Sequence, residues 1–310
     1  MLDPWRLRLL TLLESLGTVR AVAEAARLSP SNVSEQLAVL EREAGAELFE
    51  RAGRRLRLTP AGAALARHAR VILDQMGAAH EELAAFDAVE GGLAGRVRLG
   101  AFTSALNTFV LGAVRDLGRD HPRLRVTVWE LDPAESVAAL QRGECDVVVT
   151  ADLGSGDAAI VPDVVYTVLA TDEIMLVTAG PSRETVDLAD FARHPWSVEL
   201  PGTWTFDLVT TACRRAGFEP EIAGCFASYG PLLAHVEAGL SVTLLPELAV
   251  DPRYRVAARP VRDPMRRRIT AAVRRSSAAR PSVATVVESL RRAATCQSPS
   301  PPPDEARARP

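Results

Sequence analysis

The first part of the chain contains three segments in which apolar residues recur every three or four positions, the spacing of one helix face. Gly17 ends the first predicted helix, and Thr18 can cap the second through its side-chain oxygen. Ser29 followed by Pro30 starts the third helix, which Gly45 ends. Three short helices in this order predict a helix-turn-helix. Its inner side is formed by Leu7, Leu10, Leu13, Val19, Val22, Ala23, Ala26, Val33, Leu37 and Leu40.

Polar side chains occupy the outer side of the third predicted helix, close to its start. They are Ser31, Asn32, Ser34, Glu35 and Gln36. Short hydroxyl and amide groups at this place can bond to the edges of bases and to phosphates, and Thr18 and Ser29 at the two helix starts are predicted DNA contacts as well. The same pattern is also typical of the solvated face of a small helical bundle. Periodicity alone leaves both interpretations open.

A short basic segment follows the third helix and favours DNA binding. The alternation from Arg55 to Leu58 predicts a strand, and Gly53 before it favours the turn of a hairpin. The first 58 residues hold nine arginines and eight acidic residues, so the basic charge is confined to this hairpin. A basic hairpin after a recognition helix is interpreted as a wing that neutralises phosphates. Its arginines are Arg51, Arg54, Arg55 and Arg57.

A long helix is predicted after the wing. Thr59 followed by Pro60 starts it, and Gly91 with Gly92 ends it. An apolar stripe that extends beyond a small domain must be buried, and a second copy of the helix is the expected partner. A dimer would place two recognition helices on a pseudo-palindromic site. The stripe consists of Ala64, Leu65, Ala69, Ile72, Leu73, Met76, Leu83 and Phe86.

Short apolar strands alternate with amphipathic helices from Arg96 to about Ala294. This alternation predicts an α/β region with a mostly parallel sheet covered by helices. The last segment, Ser298 to Pro310, contains five prolines and no aromatic residue, and we interpret it as a disordered tail. The predicted strands are 96–101, 125–130, 146–150, 173–177, 196–199 and 242–246, and the predicted helices include one up to 119 and one over 137–141.

Composition narrows the class of protein. The chain has 310 residues, of which 47% are hydrophobic and 24% charged, and a net charge of −3, which disfavours indiscriminate coating of nucleic acid. No apolar run reaches the roughly 18–20 residues that span a bilayer, and no signal-peptide pattern is present, so a cytoplasmic location is expected. We expect no cofactor. Metal or redox sensing is the minor alternative for four widely spaced cysteines, Cys145, Cys213, Cys225 and Cys296.

A series of anchors in the first 62 residues resembles the LysR-type transcriptional regulators. Three positions depart from the commonest family pattern. Pro30-Ser31 replaces Gln-Pro, Asn32 replaces alanine, and Glu35 replaces arginine or glutamine. Glu35 would accept from cytosine if it faced DNA, and it has no such role if it faces away. The anchors are Gly17-Thr18-Val19, Ala23-Glu24-Ala25, residues 28–37, residues 40–43, Gly45, Leu48-Phe49-Glu50-Arg51 and residues 58–62.

The resemblance implies the organisation of the whole chain. An N-terminal all-α winged helix-turn-helix with a long linker helix would precede a C-terminal α/β sensor of two lobes, similar to periplasmic binding proteins. The expected parts are a DNA-binding domain over 1–58, a linker and dimerisation helix over 59–90, an effector-binding domain over 91–294 and the tail over 295–310. Within the sensor, one lobe would comprise about 95–160 with 262–294, and the other about 161–261.

The resemblance also implies a ligand cleft between the lobes, at the carboxyl ends of strands. Hydroxyls beside helix N-termini there would suit an anionic effector, although each hydroxyl could equally be a helix cap without a ligand. The expected partners are promoter DNA, a small-molecule effector and further copies in a homodimer or homotetramer. RNA polymerase is a further candidate partner, and no membrane is expected. The expected contacts are Phe102, Thr103, Ser104, Thr150, Thr203, Trp204 and Ser228.

Two other classes of protein fit this sequence less well than a regulator does. An enzyme is disfavoured because the chain lacks the nucleophile elbow, zinc-protease, dinucleotide-binding and P-loop motifs. An architectural DNA-binding protein would be basic overall and would lack a sensor, and neither holds here. The histidines are scattered without the spacing of metal ligands: His68, His80, His121, His194 and His235.

Overall fold

A computed structural model describes residues 1–52, 55–86, 93–152, 161–182 and 184–295. Side chains are described in these ranges except at 51, 52, 55 and 84–86. The predicted turn at Gly53, the end of the linker at Gly91 and Gly92, and the tail beyond Thr295 lie outside the described residues.

The N-terminal unit, called the head below, has the predicted three helices and hairpin. Thr18 accepts a hydrogen bond from the Ala21 backbone N–H (3.2 Å), and Ser29 accepts one from that of Asn32 (3.2 Å), so both caps are confirmed. Gly17 ends the first helix with φ +70°, a conformation that favours glycine. The elements are α1 (Pro4–Leu16), α2 (Val19–Ala26), α3 (Pro30–Ala44), β1 (Phe49–Ala52) and β2 (Arg55–Leu58).

The linker helix α4 (Pro60–Phe86) starts where Thr59 accepts from the Gly62 backbone N–H at 3.0 Å. Its first turns pack on α1, and Ala69 is buried there, so the predicted apolar stripe is shared between two surfaces. Ile72, Met76 and Leu83 of the stripe are exposed. No helix of the described residues is long and apolar enough to cross a membrane.

The remainder of the described chain, called the sensor below, alternates strands and helices as expected. A five-residue π-helical turn, Leu106–Val110, joins the first two sensor helices. The elements are β3 (Gly95–Ala101), α5 (Thr103–Ala105), α6 (Leu111–Asp120), β4 (Leu124–Glu130), α7 (Pro133–Arg142), β5 (Val147–Asp152), β6 (Val164–Ala179), β7 (Pro195–Glu199), α8 (Trp204–Arg215), β8 (Glu221–Phe226), α9 (Tyr229–Glu237), β9 (Thr243–Pro246), β10 (Val256–Pro260), β11 (Arg266–Arg274) and α10 (Pro281–Thr295).

The main sheet is mixed, which corrects the expectation of a mostly parallel one. Its order is β10-β6-β11-β5-β3-β4, with β9 also paired to β6. Strand β3 runs parallel to β4 and β5, whereas β11 runs antiparallel to β5 and β6. Alternation of strands with helices predicted the parallel pairs. It does not predict the direction of β11, which returns to the sheet from the other lobe.

One long strand, β6, belongs to both lobes. Its first half pairs with β11, and its second half pairs with β9 and β10. The chain therefore passes between the two sets of paired strands near Asp172, inside β6. The final segment packs with the first part of the sheet, because β11 pairs with β5 and α10 buries Val283, Val286 and Leu290 in the same hydrophobic core as β3 and β5.

Candidate functional site

The outer side of α3 presents the polar residues that the sequence predicted. Val33, Leu37 and Leu40 are fully buried, which turns the opposite side of the helix to solvent. Ser31, Asn32, Ser34 and Glu35 are all exposed there. Ser34 donates to the Pro30 carbonyl (3.0 Å), and the Ser29 hydroxyl shares a hydrogen bond with that of Ser31 (3.0 Å). Asn32 and Glu35 have no side-chain partner among the described residues.

Gln36 lies at the edge of this surface. Its amide oxygen accepts from Nε of Arg6 in α1 (3.0 Å), and Nη1 of Arg6 also pairs with Glu43 (2.7 Å). Gln36 is therefore half-buried and held towards α1, so it is less free to reach a base than Asn32. Arg42, which the sequence analysis did not single out, is exposed on the same side as Glu35, two helical turns later.

The hairpin after α3 is confirmed as two antiparallel strands. Arg57 is exposed on β2 opposite Glu50. Arg51 and Arg55 occupy strand positions whose side chains are not described, and Arg54 lies outside the described residues. The basic character of the tip thus remains a prediction, with Arg57 as the arginine whose exposure is observed.

In the sensor, the strand ends meet around a buried arginine that the sequence analysis missed. Arg267 of β11 is 1% exposed, and its Nε and Nη2 lie 2.9 and 2.7 Å from Oδ2 of Asp172. Nη2 also donates to the Ser104 hydroxyl at 2.8 Å. The guanidinium carbon lies 4.8 Å from the ring centre of Phe102 and 5.4 Å from that of Trp204. Phe102 follows β3 of the first lobe and Trp204 begins α8 of the second, so Arg267 contacts both lobes.

Three carboxylates, Glu130, Asp132 and Glu199, lie near Arg267 where the two lobes meet, a region called the cleft below. Thr103 donates to Glu130, and the Trp204 backbone N–H donates to Oδ2 of Asp132 across the cleft at 3.4 Å. Burial, together with the charges of Asp132 and Glu130, raises the pKa of Glu199. Burial and the nearby Glu199 raise the pKa of Tyr229 to about 12. The cleft therefore carries negative charge beside the Arg267–Asp172 pair, and these carboxylates are not among the contacts that the sequence predicted.

Several of the predicted hydroxyl contacts have hydrogen-bond partners within the chain. Thr203 caps α8 by accepting from the Phe206 backbone N–H (3.3 Å), the alternative that the sequence left open. Thr150 donates to the Pro133 carbonyl at 3.3 Å. Ser228 is exposed at the start of α9 and caps no backbone group.

Two of the cysteines are buried thiols. Burial raises the pKa of Cys145 to about 11 and that of Cys213 to about 12. Cys225 is exposed on β8, and Cys296 lies outside the described residues. Among the described residues, no group of three or more histidine, cysteine or acidic side chains is placed to hold a metal ion.

Two family models match the chain. The model described as "Bacterial regulatory helix-turn-helix protein, lysR family" covers residues 5–63, and the one described as "LysR substrate binding domain" covers residues 90–295. The first range holds the head and the start of α4, and the second holds the sensor with its cleft.

Relatives and solved structures agree with these matches. XapR of Escherichia coli (strain K12), an HTH-type transcriptional regulator, is 30% identical over 230 residues, which are 71% of this chain and 75% of XapR. A probable hydrogen peroxide-inducible genes activator of Streptomyces viridosporus is 32% identical over 239 residues, 75% and 73% of the two chains.

The fold is shared with full-length regulators. A full-length OxyR variant from Pseudomonas aeruginosa superposes with a TM-score of 0.72 at 22% identity, over 94% of this chain and 95% of that one. Full-length CbnR bound to its target DNA gives a TM-score of 0.55 at 21% identity, over 94% and 100%.

Proposed function

Because this chain belongs to the LysR-type transcriptional regulators of bacteria, we propose that α3 and the β1–β2 hairpin read its promoter, and that the Arg267 cleft binds its effector. The chain is a DNA-binding regulator and not an enzyme. We assign DNA binding to residues 1–58, linkage and dimerisation to 59–90 and effector binding to 91–294. Binding to promoter DNA supports a cytoplasmic location for this protein. RNA polymerase is a candidate protein partner at the promoter.

The observation that carries the DNA-binding proposal is the free polar surface of α3. Ser31, Asn32 and Glu35 are exposed near the helix N-terminus, while the opposite side of α3 packs into the head. A helix presented in this way fits the major groove, where amides and carboxylates can discriminate bases. Arg57 on the wing is placed to contact phosphate instead. Thr18 and Ser29 act as caps, so we assign them a positioning role beside DNA.

A pair of substitutions separates base reading from phosphate contact. Asn32→Ala should weaken binding to the selected operator by about 1–3 kcal/mol relative to random DNA, because it removes one base contact. Arg57→Ala should weaken binding to both DNAs and lower the salt slope by about 0.9 for one lost phosphate contact. Titrations of full-length protein at several salt concentrations measure both effects. Arg291→Ala on exposed α10 is the matched control, and equal behaviour of Asn32→Ala and Arg57→Ala would contradict the assignment.

We assign the effector to the cleft between the lobes. Arg267, Asp172 and Ser104 form a rigid buried cluster at its floor, and Phe102 and Trp204 provide apolar surface from opposite lobes. A ligand that contacts both lobes binds their closed arrangement best and shifts the population towards it. Closure of the lobes is expected to change the distance between the two DNA-binding heads of a dimer. That change would alter the contacts of the heads with the promoter or the bend of the promoter DNA.

We propose that this chain responds to a bound small molecule and that its two buried thiols, Cys145 and Cys213, do not sense an oxidant, although relatives are named for hydrogen peroxide. Peroxide reacts with thiolates, and the two buried thiols resist ionisation. Since burial raises their pKa values to about 11 and about 12, Cys145 and Cys213 both stay almost entirely protonated at pH 8.

Alkylation tests whether the buried thiols are unreactive in the folded protein. Iodoacetamide at pH 8 should leave Cys145 and Cys213 of the folded protein unmodified under conditions that modify exposed Cys225. Peptide mass spectrometry measures the modification at each site, and the urea-unfolded chain is the control in which all sites react. Rapid modification of Cys145 in the folded protein would favour an oxidant response.

The exposed apolar side of α4 supports pairing with a second copy. Ile72, Met76 and Leu83 lie on one side of the helix and are 39%, 38% and 63% exposed in the single chain. Burial of such residues between two antiparallel or parallel copies of α4 would stabilise a dimer, since each fully buried side chain of this size contributes about 1.5–3 kcal/mol. Pairing of the sensors would extend the dimer to a tetramer.

A further inference from the structure

A buried arginine at the far end of β11 joins the sensor to the linker helix. Nε and Nη2 of Arg274 donate to the two carboxylate oxygens of Asp74, at 3.0 and 3.1 Å. Nη1 donates to the carbonyls of Leu140 and Cys145 at 2.9 and 2.7 Å, and Nη2 also reaches Asp146 at 3.3 Å. All five N–H groups of this guanidinium therefore have acceptors.

Asp74 belongs to α4, whereas every other acceptor of Arg274 belongs to the sensor. Asp74 is 8% exposed and accepts a third hydrogen bond from the Ser276 hydroxyl at 2.7 Å. Without α4, Arg274 would lose its bidentate partner and be left with carbonyls and one shared carboxylate. The linker helix thus completes a charge network that the sensor does not satisfy alone.

A second polar contact lies two turns further along α4. Glu81 accepts from Arg280 (2.6 Å), from the Ser282 hydroxyl (2.8 Å) and from the Ser282 backbone N–H (3.1 Å). Asp74 and Glu81 are seven residues apart and lie on one side of the helix. The exposed residues Ile72 and Met76 lie on the opposite side. One helix therefore offers a polar side to its own sensor and an apolar side to a second copy.

Three neighbouring strands run from the cleft to this network. β11 carries Arg267 at its cleft end and Arg274 at the other. β5 ends at the cleft beyond Thr150 and begins directly after Asp146, while β3 leads from Arg98 to Phe102. Arg98 pairs with Asp146 at 2.9 Å, so the charges alternate from Asp74 through Arg274 and Asp146 to Arg98. Although burial acts to raise it, the two arginines lower the pKa of Asp146.

We propose that the Asp74–Arg274 pair is a joint that fixes the direction in which α4 carries the DNA-binding heads relative to the sensor. Asp74 and Arg274 are then positioning residues for DNA binding, although they lie outside both the cleft and α3. The proposal rests on the proposed function of the head and goes beyond it. A buried, bidentate ion pair depends steeply on geometry, so it holds α4 in one arrangement and is broken by a small displacement of β11.

The spacing of two half-sites on DNA measures head position without a known effector. Wild-type full-length protein first selects a half-site from a random-sequence pool, and affinities are then measured for one half-site and for two half-sites with graded spacers. The wild-type affinity should vary by about tenfold or more over one turn of DNA, about 10.5 base pairs, because the heads are held at fixed positions. Asp74→Asn keeps the shape of the side chain and removes its charge.

The expected result for Asp74→Asn is an unchanged affinity for one half-site and a variation with spacer length that falls below about threefold. Glu82→Gln, exposed on the same helix, is the matched control and should keep the wild-type variation. Asp74→Glu, which restores the charge, should recover part of it. Thermal unfolding of each variant reports whether the sensor is intact.

Two results would overturn the proposal. An unchanged spacer profile in folded Asp74→Asn would mean that the network only stabilises the fold, and so would an equal loss of affinity for every DNA together with a lower Tm. If Asp74→Asn does not fold, Ser276→Ala and Glu81→Gln are tested instead, because each removes a neighbouring contact between α4 and the sensor. The proposal then requires that these variants reduce the variation of affinity with spacer length. Failure of the wild-type protein to select any DNA sequence would instead contradict the proposed function of the head.

Discussion

Replacement of Arg267 by methionine is expected to lower the free energy of unfolding of the sensor by about 3–5 kcal/mol. The substitution leaves Asp172 buried without the guanidinium that lies 2.7 Å away, and it removes the donor to Ser104. An uncompensated charge in an apolar interior costs far more than a lost surface ion pair. Urea unfolding, followed by circular dichroism, measures the change.

Two further variants show whether the loss of stability comes from the unpaired buried charge or from any substitution in β11. Arg266→Met changes the preceding residue, whose side chain is 63% exposed and 3.9 Å from Glu173, and should cost no more than about 1 kcal/mol. The double variant Arg267→Met with Asp172→Asn removes both charges and should recover much of the lost stability. Equal losses in Arg266→Met and Arg267→Met would contradict the interpretation of Arg267 as a buried, paired cation.

The same substitution should affect the cleft. Arg267 is in contact with Phe102 of the first lobe and Trp204 of the second, so methionine would remove a cation that both rings share. The lobes would lose one of the contacts that set their relative position. Since Asp132 also bonds to the start of α8 across the cleft, closure depends on polar groups from both lobes.

Local signals explain why the head was predictable. A helix start depends on a few adjacent residues, so Ser29 with Pro30 and Thr18 predicted caps that the structure confirms. The apolar spacing of Val33, Leu37 and Leu40 also gave the outer side of α3 directly. The position of Gln36 was not predictable, because its partner Arg6 is 30 residues away in sequence.

The sensor cleft was only partly predictable. The rule that ligands bind at strand ends led to Phe102, Thr103 and Ser104, which lie there. Arg267 stands in a run of three arginines, which in sequence looks like a solvated surface, and its partner Asp172 is 95 residues away. The joint at Asp74 was hidden for the same reason, because Arg274 is 200 residues away.

The second large effect is expected at Gly62 near the start of α4, where the single methyl group added by alanine should destabilise the head. A Cβ on Gly62 would lie 2.1 Å from the backbone carbonyl oxygen of Leu48 and 3.1 Å from its carbonyl carbon. That oxygen already accepts from the Thr59 backbone N–H at 3.0 Å, so Leu48 and the start of α4 cannot move apart without breaking this bond. Gly62→Ala should therefore destabilise the head by about 3 kcal/mol or more.

The expected consequence is a selective loss of the head. Unfolding of Gly62→Ala should show an earlier transition for the head and an unchanged one for the sensor, and DNA binding should fall with the first. Gly112→Ala on α6 is the matched control, since no atom lies within 4 Å of its added Cβ, and helix propensity favours alanine there by about 0.5–1 kcal/mol. A stable head in Gly62→Ala would mean that α4 does not cross Leu48 this closely. The glycine among the family anchors would then be required for some reason other than this close approach of backbones.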